Sequence, residues 1–147
     1  MTYPFSMPNQ VTNFDAIDYV PKRAMVIFAH PDDAEIGAGA TAALWADKGC
    51  EITYVQCTTG SSGSNDTEMT SERIVAIRSV EQRAAADAIG VSDIVVLDHP
   101  DGELEAGRVF LGEVVHALRK YRPEVVFTHD QHRIHRFQHR DHRNVGI

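Results

Sequence analysis

The stretch IFAHPDDAEIGAG, residues 27–39, begins as a buried strand and continues as a helix rich in small residues. A histidine and two adjacent aspartates, His30, Asp32 and Asp33, stand where the strand gives way to the helix. Because Pro31 fixes the backbone between them, His30 and Asp33 can converge on one point while Asp32 is aimed elsewhere. This junction is therefore a candidate catalytic or metal-binding segment.

The same acidic residues have a second interpretation as helix caps. Asp32 and Glu35 have the three-residue spacing of a capping box, and acidic side chains suit the positive end of a helix dipole. The segment alone leaves capping and chemistry open. The position of His30 at the end of an apolar strand favours chemistry.

Strand-like and helix-like segments alternate along the chain. The strands are expected at residues 24–29, 51–57, 93–97 and 124–128, and the helices at residues 37–48, 71–89 and 108–121. This alternation predicts an α/β fold, a Rossmann-like, mostly parallel sheet with helices on both faces. Ligands bind such sheets outside the carboxyl ends of the strands, so the loops that follow the four strands are expected to form one site.

Each predicted helix has apolar residues that are expected to face the sheet. These are Leu44 and Trp45 in the first helix, Ile74, Ile77, Ala84 and Ala88 in the second, and Leu111, Val114, Val115 and Leu118 in the third.

Composition indicates a single globular domain. The chain has 147 residues, of which 43% are hydrophobic and 24% charged. Residues 1–22 are expected to form an extended N-terminal arm, and residues 23–147 the folded domain. The net charge of −7 argues against a nucleic-acid binder, and no apolar run reaches the roughly 20 residues that cross a membrane. Without a signal-peptide pattern or a disulfide framework, a cytoplasmic protein is expected.

A second candidate motif is His139-Arg140-Asp141-His142. A His-x-x-His spacing places two imidazoles on one face of a turn or helix. Combined with the first motif, it offers two histidines and one carboxylate with a coordination position left for water, the ligand set of a catalytic zinc site. The same ligand types also bind ferrous iron, so they leave the metal open.

A competing motif, Gly37-x-Gly39-x-x-Ala42, matches a dinucleotide-binding fingerprint. In that fingerprint the glycines form the tight turn directly after the strand, whereas here residues 30–36 intervene. Close packing of a small-residue helix on the sheet explains the glycines without a cofactor.

Two further segments lie at the expected site. In the glycine- and serine-rich loop of residues 58–70, Gly60 and Gly63 would let backbone amides approach a ligand closely. Three histidines after the fourth strand are expected to line the wall or to be solvated, and none is expected to be a ligand: His129, His132 and His135.

Together these motifs resemble the LmbE-like, or PIG-L, superfamily of zinc-dependent N-acetylglucosaminyl deacetylases. The family hallmarks are an A-H-P-D-D motif after the first strand, here residues 29–33, and a later H-x-D-H, here residues 139–142. Weaker landmarks are Thr58-x-Gly60, Arg78-x-x-Glu81 and Asp101-Gly102. The resemblance runs from about residue 24 to the last residue. It implies a hydrolase that removes the acetyl group from an N-acetylglucosamine-type amino sugar or its conjugate.

The resemblance also implies a metal centre. His30, Asp33 and His142 would bind Zn²⁺, with Fe²⁺ or another divalent metal as the alternative. Asp32 would be the general base that accepts a proton from the attacking water. The substrate would be a small N-acetylated amino sugar.

Four more residues receive roles by position in the family motifs. His139 would assist the oxyanion or the leaving group, with Asp141 orienting it. Arg78 and Asp101 would contact the sugar. The alternatives are a surface ion pair of Arg78 with Glu81, and a turn residue at Asp101.

Family members usually continue well beyond the H-x-D-H motif, so this sequence is expected to lack the C-terminal portion of the family. It would then be a fragment, or a minimal version completed by a partner chain, as in a homo-oligomer. Two other functions stay open at this point. They are a non-catalytic metal- or nucleotide-binding domain of the same fold, and an amidase that acts on a thiol-sugar conjugate.

Overall fold

A computed structural model of the chain describes residues 19–132 and 139–147. The elements in chain order are β1 Arg23–Phe28, α1 Asp33–Asp47, β2 Glu51–Thr58, α2 Ser71–Ile89, β3 Asp93–His99, α3 Arg108–Tyr121, β4 Val125–Phe127 and α4 Arg140–Val145. Most of the expected N-terminal arm, and His135, lie outside the described residues. None of the helices in the described ranges is long and apolar enough to cross a membrane.

The four strands form one parallel sheet in the order β3-β2-β1-β4. β1 is central and pairs with both β2 and β4, which explains why its sequence is apolar on both faces. Because every strand runs in the same direction, the loops at their carboxyl ends meet at one edge of the sheet. The predicted parallel α/β fold is confirmed.

Two apolar layers cover the sheet. On one face Phe28 and Tyr54 of the sheet pack with Trp45 of α1, and the cluster continues to α2. On the other face Ile27 packs in a cluster with Phe110 of α3 and Val145 of α4. Alternate residues of β1 thus face opposite layers, and the prediction of helices on both faces is confirmed.

Helix α1 differs from its prediction in both start and orientation. It begins at Asp33, not at residue 37, and Leu44 is 53% exposed. The buried face consists of Trp45 and of small residues, chiefly Ala34, Ala38 and Ala42. Small side chains let the helix approach the sheet closely but give a weak hydrophobic periodicity. The prediction that Leu44 faces inward was therefore wrong.

The inner faces of the next two helices are also rotated from the predicted ones. In α2 the buried residues are Gln82 and Ala86, and Ile77 is 39% exposed. Ile74 is half-buried, while Ala84 and Ala88 are exposed.

In α3 the buried residues are Phe110 and Ala117, and Leu111 is 61% exposed. Val114, Val115 and Leu118 are half-buried, and Val114 and Leu118 pack against the core as predicted. In neither helix are the fully buried residues among those predicted to face the sheet.

Candidate active site

Loops from all four strands converge at the carboxyl edge of the sheet, as the sequence predicts. His30 follows β1, the loop with Gly60 follows β2, Asp101 follows β3, and His129 follows β4. Helix α4 adds Asp141 and His142 to the same place.

Three donor atoms lie close together at this edge. The Nδ1 atom of His30 lies 3.1 Å from Nε2 of His142 and 3.4 Å from Oδ2 of Asp33. Nε2 of His142 lies 3.1 Å from Oδ1 of Asp33. Two atoms bound to one tetrahedral zinc ion at about 2.0 Å each are about 3.3 Å apart. The two nitrogens and the carboxylate therefore fit around a single divalent ion with little movement.

The other side of the His30 ring faces two carboxylates. Nε2 of His30 lies 3.0 Å from Oδ1 of Asp101 and 3.1 Å from Oδ2 of Asp141. The Asp141 side chain is fully buried and also accepts hydrogen bonds from the backbone N–H groups of Gly102 and Leu104, at 2.7 and 3.2 Å. A metal-binding histidine commonly donates its other N–H to such a carboxylate. This arrangement places the proton on Nε2 and leaves the lone pair of Nδ1 free for a metal.

Charge coupling within the cluster shifts the pKa values of His30 and Asp33 in opposite directions. Burial lowers the pKa of His30, but its contacts with the Asp33 and Asp101 carboxylates outweigh burial and leave the pKa above its usual value. Burial raises the pKa of Asp33, but the imidazoles of His129, His142 and His30, together with the backbone N–H of His30, hold it far below its usual range. Asp33 is thus an anion throughout the physiological pH range.

Asp32 stands at the N-cap position of α1 but does not cap the helix. Its φ of 96° is left-handed, and its side chain makes no capping hydrogen bond. The carboxylate is 64% exposed and accepts a hydrogen bond from Nη2 of Arg78 at 3.1 Å. The partner expected in a capping box, Glu35, instead accepts from Nε2 of Gln82. The capping interpretation of this segment is therefore wrong.

The pKa of the Asp32 carboxyl group is shifted in the opposite direction from that of Asp33. Partial burial raises the pKa of Asp32, an effect that the nearby Arg78 guanidinium reduces and the Asp33 charge increases. Asp32 and Arg78 also line a surface cavity of about 200 Å³, together with Ile36 and Glu81. A carboxylate with a raised pKa beside a cavity has the properties of a general base.

Arg78 holds the site loops together. Its guanidinium is 17% exposed and donates to the carbonyl oxygens of Pro31 and Gly60, at 2.5 and 3.2 Å. A Cβ atom at Gly60 or Gly63 would lie 2.5 Å from Nη1 of Arg78. The glycines thus make room for the guanidinium, which differs from their expected role of bringing amides near a ligand. The described contacts of Arg78 are with these loops, not with Glu81.

His139 caps helix α4. Its Nδ1 accepts a hydrogen bond from the N–H of Asp141 at 3.2 Å, and its side chain is 43% exposed. Its ring meets that of His30 edge to face, with centroids 4.4 Å apart. The Asp141 carboxylate lies 3.9 Å from Nδ1 of His139, beyond hydrogen-bond distance. The expected orientation of His139 by this carboxylate is therefore not the contact observed, because the hydrogen bonds of Asp141 go to His30 and to the loop after β3.

Both carboxylate oxygens of Asp101 contact other residues of the chain. Its Oδ1 faces His30, its Oδ2 accepts the N–H of Ser62 at 3.1 Å, and its side chain is 8% exposed. Gly102, which follows it, has a φ of 83° and so forms the expected turn. The contact of Asp101 with a sugar stays a prediction.

His129, for which the sequence left open a place in the wall of the site or in solvent, lies at the site. Its Nε2 accepts the N–H of Ala29 at 3.1 Å and lies 3.5 Å from Oδ2 of Asp33. Its ring stacks on that of His142, with centroids 4.2 Å and planes 8° apart. Its position after the fourth strand, at the common edge of the sheet, is the signal that indicated this place. His132 is exposed, as expected.

The glycines of the competing dinucleotide motif lie inside α1. A Cβ atom at Gly39 would lie 3.6 Å from Cδ1 of Ile89, so this glycine stands where α1 and α2 pack closely. The turn between β1 and α1 is formed by the histidine–aspartate segment, and glycines do not contribute to it.

Comparison with known proteins assigns the chain to a family. Residues 25–147 match the PIG-L family, described as GlcNAc-PI de-N-acetylase. The chain is 35% identical over 126 residues to the diacetylchitobiose deacetylase of Thermococcus kodakarensis, which covers 86% of this chain and 47% of that protein. It is 28% identical over 154 residues to the 1D-myo-inositol 2-acetamido-2-deoxy-alpha-D-glucopyranoside deacetylase of Kineococcus radiotolerans. That alignment covers 84% of this chain and 42% of the relative. The chain spans about half the length of these curated relatives.

Solved structures share the fold. The N,N′-diacetylchitobiose deacetylase of Pyrococcus horikoshii superposes with a TM-score of 0.83 at 35% identity, over 86% of this chain and 47% of that one. GalB, the 4-carboxy-2-hydroxymuconate hydratase of Pseudomonas putida, superposes with a TM-score of 0.76 at 27% identity, over 84% and 52%. Because the family match extends over residues 25–147, the chain belongs to the PIG-L, or LmbE-like, family.

Proposed function

We propose that the chain provides the metal centre and the general base of a hydrolase that removes acetyl groups from N-acetylglucosamine-type sugars or their conjugates. The observation that carries the proposal is the cluster of His30, Asp33 and His142 around one point, beside the exposed carboxylate of Asp32. Two relatives named as deacetylases of acetamido sugars, each matched over most of this chain, support the substrate class.

The metal would be held by Nδ1 of His30, the Asp33 carboxylate and Nε2 of His142, with Zn²⁺ the first candidate and Fe²⁺ or another divalent ion the alternative. A bound ion of this kind polarises a carbonyl group and lowers the pKa of water to about 7. The Asp101 and Asp141 carboxylates fix His30 with its proton on Nε2. This keeps Nδ1 directed at the metal position.

Asp32 would accept the proton of the attacking water. Arg78 binds its Oδ2, which leaves Oδ1 to take the proton. The water oxygen then forms a bond to the acetyl carbon as the carbonyl oxygen gains negative charge. Because the pKa of Asp32 is raised, the carboxylate is a stronger base than an ordinary aspartate.

His139 would stabilise the oxyanion or protonate the leaving amine. Since Nδ1 accepts the N–H of Asp141, the proton of the neutral ring is on Nε2, from which it can donate a hydrogen bond to the oxyanion. The carbon–nitrogen bond then breaks, the amine takes the proton that Asp32 accepted or one from His139 in its imidazolium form, and acetate is released. Preorganised donors of this type contribute several kcal/mol to many acyl-transfer reactions.

Arg78 and Asp101 would contact the sugar. For Arg78 the supporting observation is that it lines the cavity beside Asp32. Asp101 has only a small exposed fraction, so a contact through it requires the substrate to reach the His30 side of the site.

Acetate release by the zinc-loaded 147-residue chain tests the proposal. The substrates are N-acetylglucosamine, N,N′-diacetylchitobiose and an inositol conjugate of N-acetylglucosamine, with Asp32→Asn as the inactive control. Release of acetate from at least one of them, and its loss in the variant, is expected. Stoichiometric zinc binding without acetate release would favour a non-catalytic metal-binding domain. Cleavage of a thiol-sugar conjugate alone would favour the amidase, and hydration of a carbon–carbon double bond would favour chemistry like that named for GalB.

A further inference from the structure

The left-handed backbone of Asp32 is held by a buried side chain on another helix. We infer that Gln82 of α2 is a positioning residue, which fixes the backbone of Asp32 and so aims its carboxylate. The inference rests on the proposed function for the role of Asp32 as the base. It adds a residue that acts on the reaction through another, without touching the metal cluster or the carboxylate.

Gln82 binds Asp32 across a long separation in sequence. Its Oε1 accepts the N–H of Asp32 at 3.0 Å, and Gln82 is 4% exposed. A φ of 96° is unusual for a residue with a side chain, so surrounding contacts must hold it. No capping hydrogen bond from the Asp32 side chain does so. The amide of Gln82 thus binds the N–H of the peptide unit before Asp32, whose carbonyl oxygen is bound by Arg78.

Glu35 determines which way the Gln82 amide points. Nε2 of Gln82 donates to Oε1 of Glu35 at 2.8 Å. An ionised carboxylate only accepts hydrogen bonds, so the NH₂ group of the amide must face Glu35 and its oxygen must face the N–H of Asp32. In the opposite orientation the NH₂ group of Gln82 would face the N–H of Asp32, and its oxygen would face the Glu35 carboxylate. Neither hydrogen bond could then form. Glu35 and Gln82 therefore act as a pair.

Arg78 and Gln82 divide the work of holding this loop. They lie one turn apart on α2, and Arg78 binds the Asp32 carboxylate and the Pro31 carbonyl oxygen directly. Gln82 contacts Asp32 only through the backbone N–H. Its hydrogen bonds do not reach the three proposed metal ligands among the described residues. Loss of Gln82 is therefore expected to change turnover without changing metal affinity.

Four variants of the full chain separate this role from a structural one. Gln82→Met keeps the length of the side chain but removes both hydrogen bonds. Gln82→Glu keeps an acceptor for Asp32 but opposes the Glu35 carboxylate. The double variant Glu35→Gln with Gln82→Glu exchanges donor and acceptor and restores both bonds. Arg83→Met is the matched control, because Arg83 is the next residue of α2 and makes only an exposed ion pair with Asp87.

The first readout is steady-state acetate release together with zinc affinity. For Gln82→Met and Gln82→Glu, kcat should fall by at least about tenfold, the scale of effect expected when a catalytic group is misplaced. KM and zinc affinity should stay within about twofold. The double variant should recover most of kcat, and Arg83→Met should match the wild type. An unchanged kcat in Gln82→Met, or a double variant no better than Gln82→Glu, would overturn the inference.

The second readout does not need turnover. Amide hydrogen exchange of Asp32, followed by NMR in ¹⁵N-labelled protein, should be at least about tenfold faster in Gln82→Met and slow again in the double variant. Equal exchange in the wild type and Gln82→Met would also overturn the inference. If Asp32 exchange responds as expected while the zinc-loaded wild type releases no acetate, the proposed function fails and the positioning of Asp32 by Gln82 stands.

Discussion

Two helix N-termini meet at the cluster of His30, Asp33 and His142, and their first residues behave differently. His139, the N-cap of α4, has an ordinary extended backbone with a φ of −82°, and its side chain caps the helix. Asp32, at the N-cap of α1, has a φ of 96° and makes no capping bond. At α4 the same residue caps the helix and faces the site. At α1 the residue at the N-cap position faces the site and adopts an unfavourable backbone conformation without capping the helix. Strained residues of this kind cluster at functional positions, which supports Asp32 as the base.

The largest expected difference between the two N-termini is in catalysis. Asp32→Asn removes the proton acceptor, so kcat for acetate release should fall by roughly 10²–10⁴-fold. Zinc binding should remain at one ion per chain, because Asp33 and both histidines are untouched.

Asp47→Asn, at the other end of α1 and exposed, is the matched control and should be fully active. Wild-type turnover in Asp32→Asn would show that this residue is not the base, and the contrast with His139 would disappear.

The free energy of unfolding should depend more on the first turn of α4 than on the first turn of α1. Asp141→Asn places an NH₂ group either against the N–H of Leu104 or against the N–H groups of Gly102 and His30, so the free energy of unfolding should fall by about 2–4 kcal/mol. Urea unfolding in the presence of a chelator measures this loss without a contribution from bound metal.

The exposed Asp87→Asn is a suitable comparison, with an expected change below about 0.5 kcal/mol. A similarly small change in Asp141→Asn would mean that the buried carboxylate does not hold the loop after β3.

His139 combines a cap with a proposed catalytic role, and two substitutions separate them. His139→Ala should lower the free energy of unfolding by about 1 kcal/mol, whereas His139→Ser should stay close to the wild type because serine can accept the Asp141 N–H. Acetate release should fall by about tenfold or more in both.

Unfolding curves and kcat of the two variants, measured side by side, separate the capping role of His139 from its proposed catalytic role. If His139→Ser retains full turnover, the imidazole serves the helix alone.

The smallest expected effect is the backbone strain at Asp32. Glycine adopts a positive φ without a steric cost, so Asp32→Gly should be more stable than Asp32→Ala by about 1 kcal/mol. The same pair of substitutions at Asp87, inside α2, should show the opposite order, because alanine favours helix over glycine by about 1 kcal/mol. Chemical denaturation of the four variants gives the comparison. Equal stability of the two Asp32 variants would mean that the left-handed backbone is not strained.

Sequence patterns predicted the frame of the molecule well where the signals were local. Helices α2 and α3 have the predicted bounds, since a threonine cap, Thr70, and a glycine stop, Gly90, delimit the first and Pro123 follows the second. The central strand was recognisable because a strand buried on both faces is continuously apolar. The grouping of the loops at one edge then followed from parallel topology.

Tertiary contacts determined what the sequence could not predict. Helix α1 starts earlier than predicted because Asp32 adopts a left-handed backbone conformation. The sequence has no glycine at this position to indicate such a conformation. The inward face of α1 consists of small residues, so the larger Leu44 was wrongly placed inside. His129 and Gln82 act through partners far away in sequence, and their polar side chains had no local pattern that distinguished them from solvated residues.

Zinc titration of the metal-free chain tests the central claim most directly. Calorimetry, or competition with a chromophoric chelator, should show one zinc ion per chain for the wild type and for the exposed control His132→Ala. His142→Ala, which removes one of the three donors, should bind zinc at least about a hundredfold more weakly. Equal affinity of His142→Ala and the wild type would contradict the account, because the ion would then be bound somewhere other than among His30, Asp33 and His142.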